Sequence, residues 1–155
     1  MLEIGKRAPV FTLPDHNGDR VRLTELKGQW VVLYFYPRDD TPGCTTEARE
    51  FSAETSAFAR LDAIVLGCSP DPAEKHCGFI ARHNLKLRLL SDPEHKAMRK
   101  YGAWGEKRLY GRVTEGVIRS TTLIDPTGKV ACHWPSVRAA GHAAKVLAKL
   151  RALSE

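Results

Sequence analysis

Between Tyr34 and Phe51 the chain reads YFYPRDDTPGCTTEAREF, a stretch that begins as a strand, turns at Pro42-Gly43 and continues as a helix, with Cys44 at the junction. A thiol in the first turn of a helix meets backbone N–H groups that have no intrahelical partner, together with the positive end of the helix dipole. Both favour the thiolate, the nucleophilic form, over the neutral thiol. A cysteine of ordinary pKa, about 8.5, is only a few per cent ionised at pH 7, so a modest downward shift matters. Thr41, three residues upstream, brings a hydroxyl that can donate to the sulfur or to an oxygen of a bound oxidant. Pro37 can shield the sulfur without adding a competing donor. The same residues have a plainer reading, in which Cys44 is a small apolar plug beneath a Thr41-Pro42-Gly43 turn. The full spacing Pro37-x-x-x-Thr41-x-x-Cys44-Thr45 favours the chemical one.

Cys68, Cys77 and Cys132 are the remaining cysteines, and the four form neither a CxxC pair nor the dense, even spacing of a secreted disulfide scaffold. No two histidines stand at metal-ligand spacing, and the adjacent Cys132-His133 supplies too few ligands for a site by itself.

The elements that must position Cys44 are legible around it. FTLPDHNGDRVRL reads as two short strands about an Asn17-Gly18 turn. VVLYFY, at 31–36, is a continuous apolar run that suits a strand buried on both faces. After Cys44, apolar residues at Ala48, Phe51, Phe58 and Leu61, with Thr55 between, mark one face of a single helix. There follow a strand at 63–68, a helix from about Pro72 to His83, a strand near LRLL and a helix from about Pro93 to Tyr101. GVIRSTTLID and KVACHW read as strands joined by a DPTG turn, and a last helix has the stripe Ala143, Val146, Leu147, Leu150 and Leu153. This order predicts an α/β protein whose mixed sheet is covered on both sides, with sites at the carboxyl ends of its parallel strands. Cys44 and Cys68 both fall at such ends.

At 155 residues, 43% hydrophobic and 27% charged, one globular domain spanning 1–155 is expected. The net charge of +6 raises the question of nucleic acid, but the basic residues are spread along the chain, KRLYGR at 107–112 being the densest cluster. A solvated basic surface, with no nucleic-acid partner, is the reading. The longest apolar run is too short to cross a bilayer, and MLEIGKRAP lacks the layout of a secretory signal, so a cytoplasmic protein with no membrane partner is expected.

Over nearly its whole length the sequence resembles the peroxiredoxins, and within them the Q-type, bacterioferritin-comigratory-protein-like branch. The resemblance rests on GKRAPVFTLPDHNGDRVRLTELKG, VVLYFYPRDDTPGCTTEA, VLGCSPD, LLSDPE, YGAWGEK, GVIRSTTLIDPTGKV and GHAAKVLAKL, the second of these being the most specific. It implies a thioredoxin-like fold and a cysteine peroxidase that uses neither metal nor haem. By resemblance Cys44 is the peroxidatic cysteine, Thr41 hydrogen-bonds the peroxide, Pro37 shields the sulfur, and the family's strand arginine falls on Arg119. A guanidinium there suits the chemistry, since its fixed fork can hold a thiolate and a developing oxyanion together. Read without the resemblance, Arg119 is a surface strand residue. Glu47, one turn beyond Cys44, can hold a neighbouring backbone or side-chain group and receives no role in the reaction.

One departure from the family pattern bears on recycling. Many Q-type relatives carry a resolving cysteine five residues after the peroxidatic one, and here that position is Arg49. Another group resolves from a later helix, at a position that aligns with Ile80; Cys77 lies one turn before it. Cys77 is therefore a candidate resolving thiol. The alternative is ordinary core packing, in a stripe of Ala73, Cys77, Ile80, Ala81 and Asn84. Cys68 reads as packing, and Trp104 either closes a loop near the active face or anchors it. The resemblance further implies a peroxide substrate and a thiol reductant, thioredoxin or else glutaredoxin or glutathione, with a monomer or weak homodimer as the assembly. Two competing classes share the fold. A disulfide reductase would need a second cysteine where Thr46 and Glu47 stand, and a binding module without catalysis would be expected to have lost Thr41, Cys44 or Arg119.

Overall fold

The computed structural model describes residues 2–154, with the side chain of Leu109 left out. Its centre is the strand that the apolar run predicts. Along β3 (Trp30–Phe35), successive side chains point to opposite faces, and both faces are covered. Val32, Tyr34 and, just beyond the strand, Tyr36 enter one core with Cys44, Phe51, Phe79 and Val146. Val31, Leu33 and Phe35 enter the other with Phe11, Leu66, Met98 and Tyr101.

The N-terminal hairpin forms as expected, β1 (Thr12–Pro14) pairing antiparallel with β2 (Arg20–Arg22). A five-stranded mixed sheet follows, in the order β5 (Arg88–Ser91), β4 (Ala63–Ser69), β3, β8 (Ser120–Ile124), β9 (Val130–Trp134). β3, β4 and β5 run parallel, whereas β8 is antiparallel to β3 and to β9. The helices are α1 (Pro42–Ala53), α2 (Thr55–Arg60), α3 (Ala73–His83), α4 (Lys96–Lys100) and α5 (His142–Ser154). Among the described residues, no helix is long and apolar enough to cross a membrane.

The structure departs from the periodicity in five places. The single helix expected after Cys44 breaks at Glu54 into α1 and α2, where the Thr55 hydroxyl donates to the Ser52 carbonyl. The helix expected from Pro93 is shorter, because Asp92 accepts from the backbone N–H groups of Lys96 and Met98 and so sets a later start. The strand read across GVIRSTTLID is interrupted at Ile118-Arg119. Its first part belongs to a separate hairpin of β6 (Trp104–Leu109) and β7 (Arg112–Val117). That hairpin turns at Tyr110-Gly111, both with positive φ (52° and 76°), a turn that the Tyr-Gly pair does not advertise. On α3 the buried residues are His76 and Phe79, so the face through Cys77, Ala81 and Asn84 is outward and the core reading of Cys77 is corrected. On α5, His142, Ala143, Val146, Leu147 and Leu150 are buried, while Leu153 is exposed on the last turn.

Candidate active site

α1 starts where the sequence supplies helix-starting residues. Thr41 is the N-cap in an extended conformation, and Pro42 takes the first helical position, where a missing N–H costs nothing. Cys44 is thus the third helical residue, within the turn whose N–H groups lack intrahelical partners. Its residue exposure is 1%.

Glu47 lies three positions on, and therefore on the same face of α1. It is fully buried. Arg119, from the interruption between β7 and β8, reaches both. Its Nη2 donates to Cys44 Sγ at 3.2 Å and its Nη1 to Glu47 Oε1 at 2.6 Å. A positive charge at that distance stabilises negative charge on sulfur, and a guanidinium shared with a carboxylate is fixed in orientation. Burial holds the Glu47 carboxyl up at about 7, against the opposing pull of Arg119. Beneath the pair lies Tyr34, its ring stacked on Phe51 with centroids 4.6 Å apart. Burial, aided by Glu47 and Cys44, raises its phenol well above the usual range. Burial also lowers His142 to about 4, assisted by Lys145 and Arg119, so this imidazole is neutral at pH 7; its Nε2 lies 2.8 Å from the Thr121 hydroxyl.

Arg119 also lines a cleft of ≈ 590 Å³, walled by Lys107, Arg108, Thr114, Ile118 and Pro135. One guanidinium thus faces the thiol on one side and an open cleft on the other. The Thr41 hydroxyl donates to the Arg38 carbonyl at 2.9 Å, so delivering its proton to a peroxide requires rotation of the side chain. Pro37 is half-buried at the end of β3.

The AhpC/TSA family matches residues 4–133, most of the chain. The chain belongs to the AhpC/TSA family. It is similar to peroxiredoxin Bcp of Bacillus subtilis, 44% identical over 154 residues that cover 99% of this chain and 98% of that one. Among solved structures, the bacterioferritin comigratory protein of Xanthomonas campestris, studied for its alkyl peroxide reduction, superimposes with a TM-score of 0.92 at 36% identity. The match covers 99% of this chain and 100% of that one. PrxQ of Xylella fastidiosa gives a TM-score of 0.93 at 34% identity, covering 100% of this chain and 99% of that one. The thioredoxin-like fold and the Q-type resemblance are thereby borne out, and the activity is that of a thiol-dependent peroxidase.

Within this AhpC/TSA chain all four cysteines are free thiols. Cys77 is exposed on α3, where its Sγ donates to the His16 carbonyl at 3.0 Å. Cys68 is fully buried at the end of β4, and burial, with Asp92 adding to it, pushes its thiol pKa well up, which suits packing. Cys132 packs half-buried against the core on β9. Trp104 is an anchor: its ring stacks on His95 at 3.7 Å and belongs to the core on the sheet face opposite Cys44. Glu47 is the site residue that sequence reasoning left as a holder of some neighbouring group, without naming Arg119 as that group. The available signal was a carboxylate set among Cys44, Ala48 and Phe51 on a core-facing stripe, a position that calls for a buried cation.

Proposed function

We propose that this peroxiredoxin reduces hydrogen peroxide and organic hydroperoxides at Cys44, within a single domain that completes its cycle as a monomer. The observation that carries the assignment is the 3.2 Å contact from Arg119 to Cys44 Sγ. In the first step the thiolate attacks the terminal oxygen of the peroxide in line with the O–O bond. The S–O bond forms, the O–O bond breaks, and the other oxygen leaves as hydroxide or alkoxide and takes a proton to give water or alcohol. Arg119 supplies positive charge where negative charge passes from sulfur to the leaving oxygen, Thr41 hydrogen-bonds the peroxide, and Pro37 keeps bulk water from the sulfur. No metal or haem enters this scheme.

Resolution falls to Cys77. Its thiolate attacks the sulfur of Cys44-SOH, forming the Cys44–Cys77 disulfide and releasing hydroxide, which takes a proton to become water. Exposure of Cys77 on α3 favours this reading, as does Arg49 at the local resolving position. Both thiols lie on one chain, so no second copy is needed. A dithiol reductant of the thioredoxin type then restores both thiols, which fits a cytoplasmic setting.

The test is turnover in a thioredoxin-coupled assay with intact-mass and disulfide mapping after one equivalent of peroxide. Cys44→Ser is expected to abolish peroxide consumption, and near-wild-type turnover would remove the assignment. Cys77→Ser is expected to keep the first oxidation but accumulate sulfenic and then sulfinic Cys44. Normal turnover of that variant would make the enzyme a one-cysteine type.

A further inference from the structure

The loop Pro37–Thr41, which delivers Thr41 to the head of α1, is held on two sides by α3, the helix that carries Cys77. Two adjacent loop aspartates are gripped at once. On the outer side, Asp40 pairs with Arg82 and accepts from His83 Nε2 at 2.9 Å. On the inner side, Asp39, 2% exposed, meets His76, 0% exposed, with Nδ1 2.7 Å from Oδ2. Both members of this buried pair have further partners, Tyr36 Oη among them at 3.4 Å from Nδ1. His76 Nε2 lies 2.9 Å from the Leu90 carbonyl on β5, which can only accept, so Nε2 carries a proton. A further proton must then lie between Nδ1 and the carboxylate oxygen. Tyr36 Oη donates to the other carboxylate oxygen at 2.6 Å, and the Asp39 backbone N–H donates to Asp71 Oδ2 at 2.7 Å. Breaking one member of such a buried network leaves the others unpaired at a cost.

His76 is the residue immediately before Cys77. Cys44 is buried with its sulfur on Arg119, whereas Cys77 faces outward with its sulfur on the His16 carbonyl, so a Cys77 that resolves Cys44 must leave its helical position to bring the two Cα atoms within the reach of a disulfide. His76 and Cys77 share one turn of α3.

We propose that His76 is a positioning residue governing both halves of the cycle: through Asp39 it holds the Pro37–Thr41 loop in the shape that serves peroxide attack, and its departure with Cys77 releases that loop for disulfide formation. The proposal rests on the reading of Cys77 as the resolving thiol. It makes the loosening of the two helix ends one event, because the same buried contact restrains both. It also ties sensitivity to over-oxidation to this contact, since sulfenic Cys44 waits for resolution while His76 stays seated.

The experiment follows both steps in the full-length chain by stopped-flow, with sulfinic acid measured by mass at excess peroxide. Two variants are compared with wild type. His76→Asn shortens the side chain so that it cannot span Asp39 and Leu90 together. Asp39→Asn keeps the shape of the loop side chain while removing its charge, and decides the matter if His76→Asn fails to fold. In both, oxidation of Cys44 is expected to slow by roughly five-fold or more, a loss the size of one hydrogen bond or a small misplacement. Disulfide formation is expected to accelerate by a comparable factor, and the sulfinic fraction to fall. Opposite movement of the two rates is what a merely structural role does not produce. If both steps slow together, or neither changes, the proposal is overturned. Mapping of the wild type in parallel separates the two claims: absence of a Cys44–Cys77 bond there removes the resolving role of Cys77. Its presence with unchanged partition in the variants removes the role of His76 alone.

Discussion

A Cβ built on Gly43 would lie 3.2 Å from Nη2 of Arg119, the nitrogen that donates to Cys44. That is too close for an undisturbed contact, so the glycine is what lets the guanidinium lie across the head of α1. Gly43→Ala is therefore expected to separate stability from activity. Alanine is better than glycine in a helix by up to about 1 kcal/mol, yet here it pushes Arg119 off the sulfur. Thermal unfolding should show an unchanged or raised Tm, while stopped-flow oxidation of Cys44 slows by about ten-fold or more. An unchanged oxidation rate would show that Arg119 has room to spare.

Glu47 gives stability a dependence on pH. Its folded carboxyl, at about 7 against 4.5 unperturbed, keeps a proton that the unfolded chain has already lost. Between those values the folded state binds more protons, so this group's contribution to stability falls as pH rises from about 4.5 to 7 and is level above that. The full effect is on the order of 3 kcal/mol. Glu47→Gln resembles the protonated acid, so urea unfolding should find the two chains similar at the acid end of this window and the variant more stable at pH 8. A wild-type-to-variant difference that stays constant across the window would remove Glu47 as the titrating group.

Gly67 sits in β4 between Tyr34 on β3 and Leu89 on β5, and a Cβ there would come within 2.8 Å of atoms of both side chains. Both are fully buried, so neither has room to yield. Gly67→Ala is expected to destabilise the chain by about 1–3 kcal/mol, read as a lower urea midpoint at unchanged slope. A midpoint equal to that of wild type would mean that Tyr34 is not wedged against this strand.

The sequence and structure agree most closely where a pattern reports one local fact. The apolar run from Val31 to Tyr36 required burial on both faces, and Asn17-Gly18 required a hairpin; both are present. Pro42-Gly43-Cys44 placed the thiol in a first helical turn, as observed. What escaped depends on partners distant along the chain. Arg119 was placed at the site by the family resemblance alone; its own surroundings read as surface, because nothing in VIRSTT states that β8 pairs with β3, which is what brings it to Cys44. Glu47 was unassigned for the same reason, its cation being 72 positions away. On α3 the stripe through Cys77 was nearly as apolar as the true one. A buried histidine, satisfied by Asp39 and Leu90, outweighed it, and hydropathy does not count hydrogen bonds.

The 75 positions between Cys44 and Arg119 bear on the order in which the molecule acquires its reactivity. During synthesis the thiol emerges long before the arginine, and β8, the strand that follows the arginine, must still dock against β3 across a loop of that length. Closing such a loop is slow compared with forming α1, which is local. On the proposed mechanism, a nascent or partly folded chain therefore carries its nucleophile without the charge that arms it. Rapid consumption of peroxide begins only when the last strands are in place, so the rate of Cys44 oxidation during refolding serves as a clock for completion of the topology.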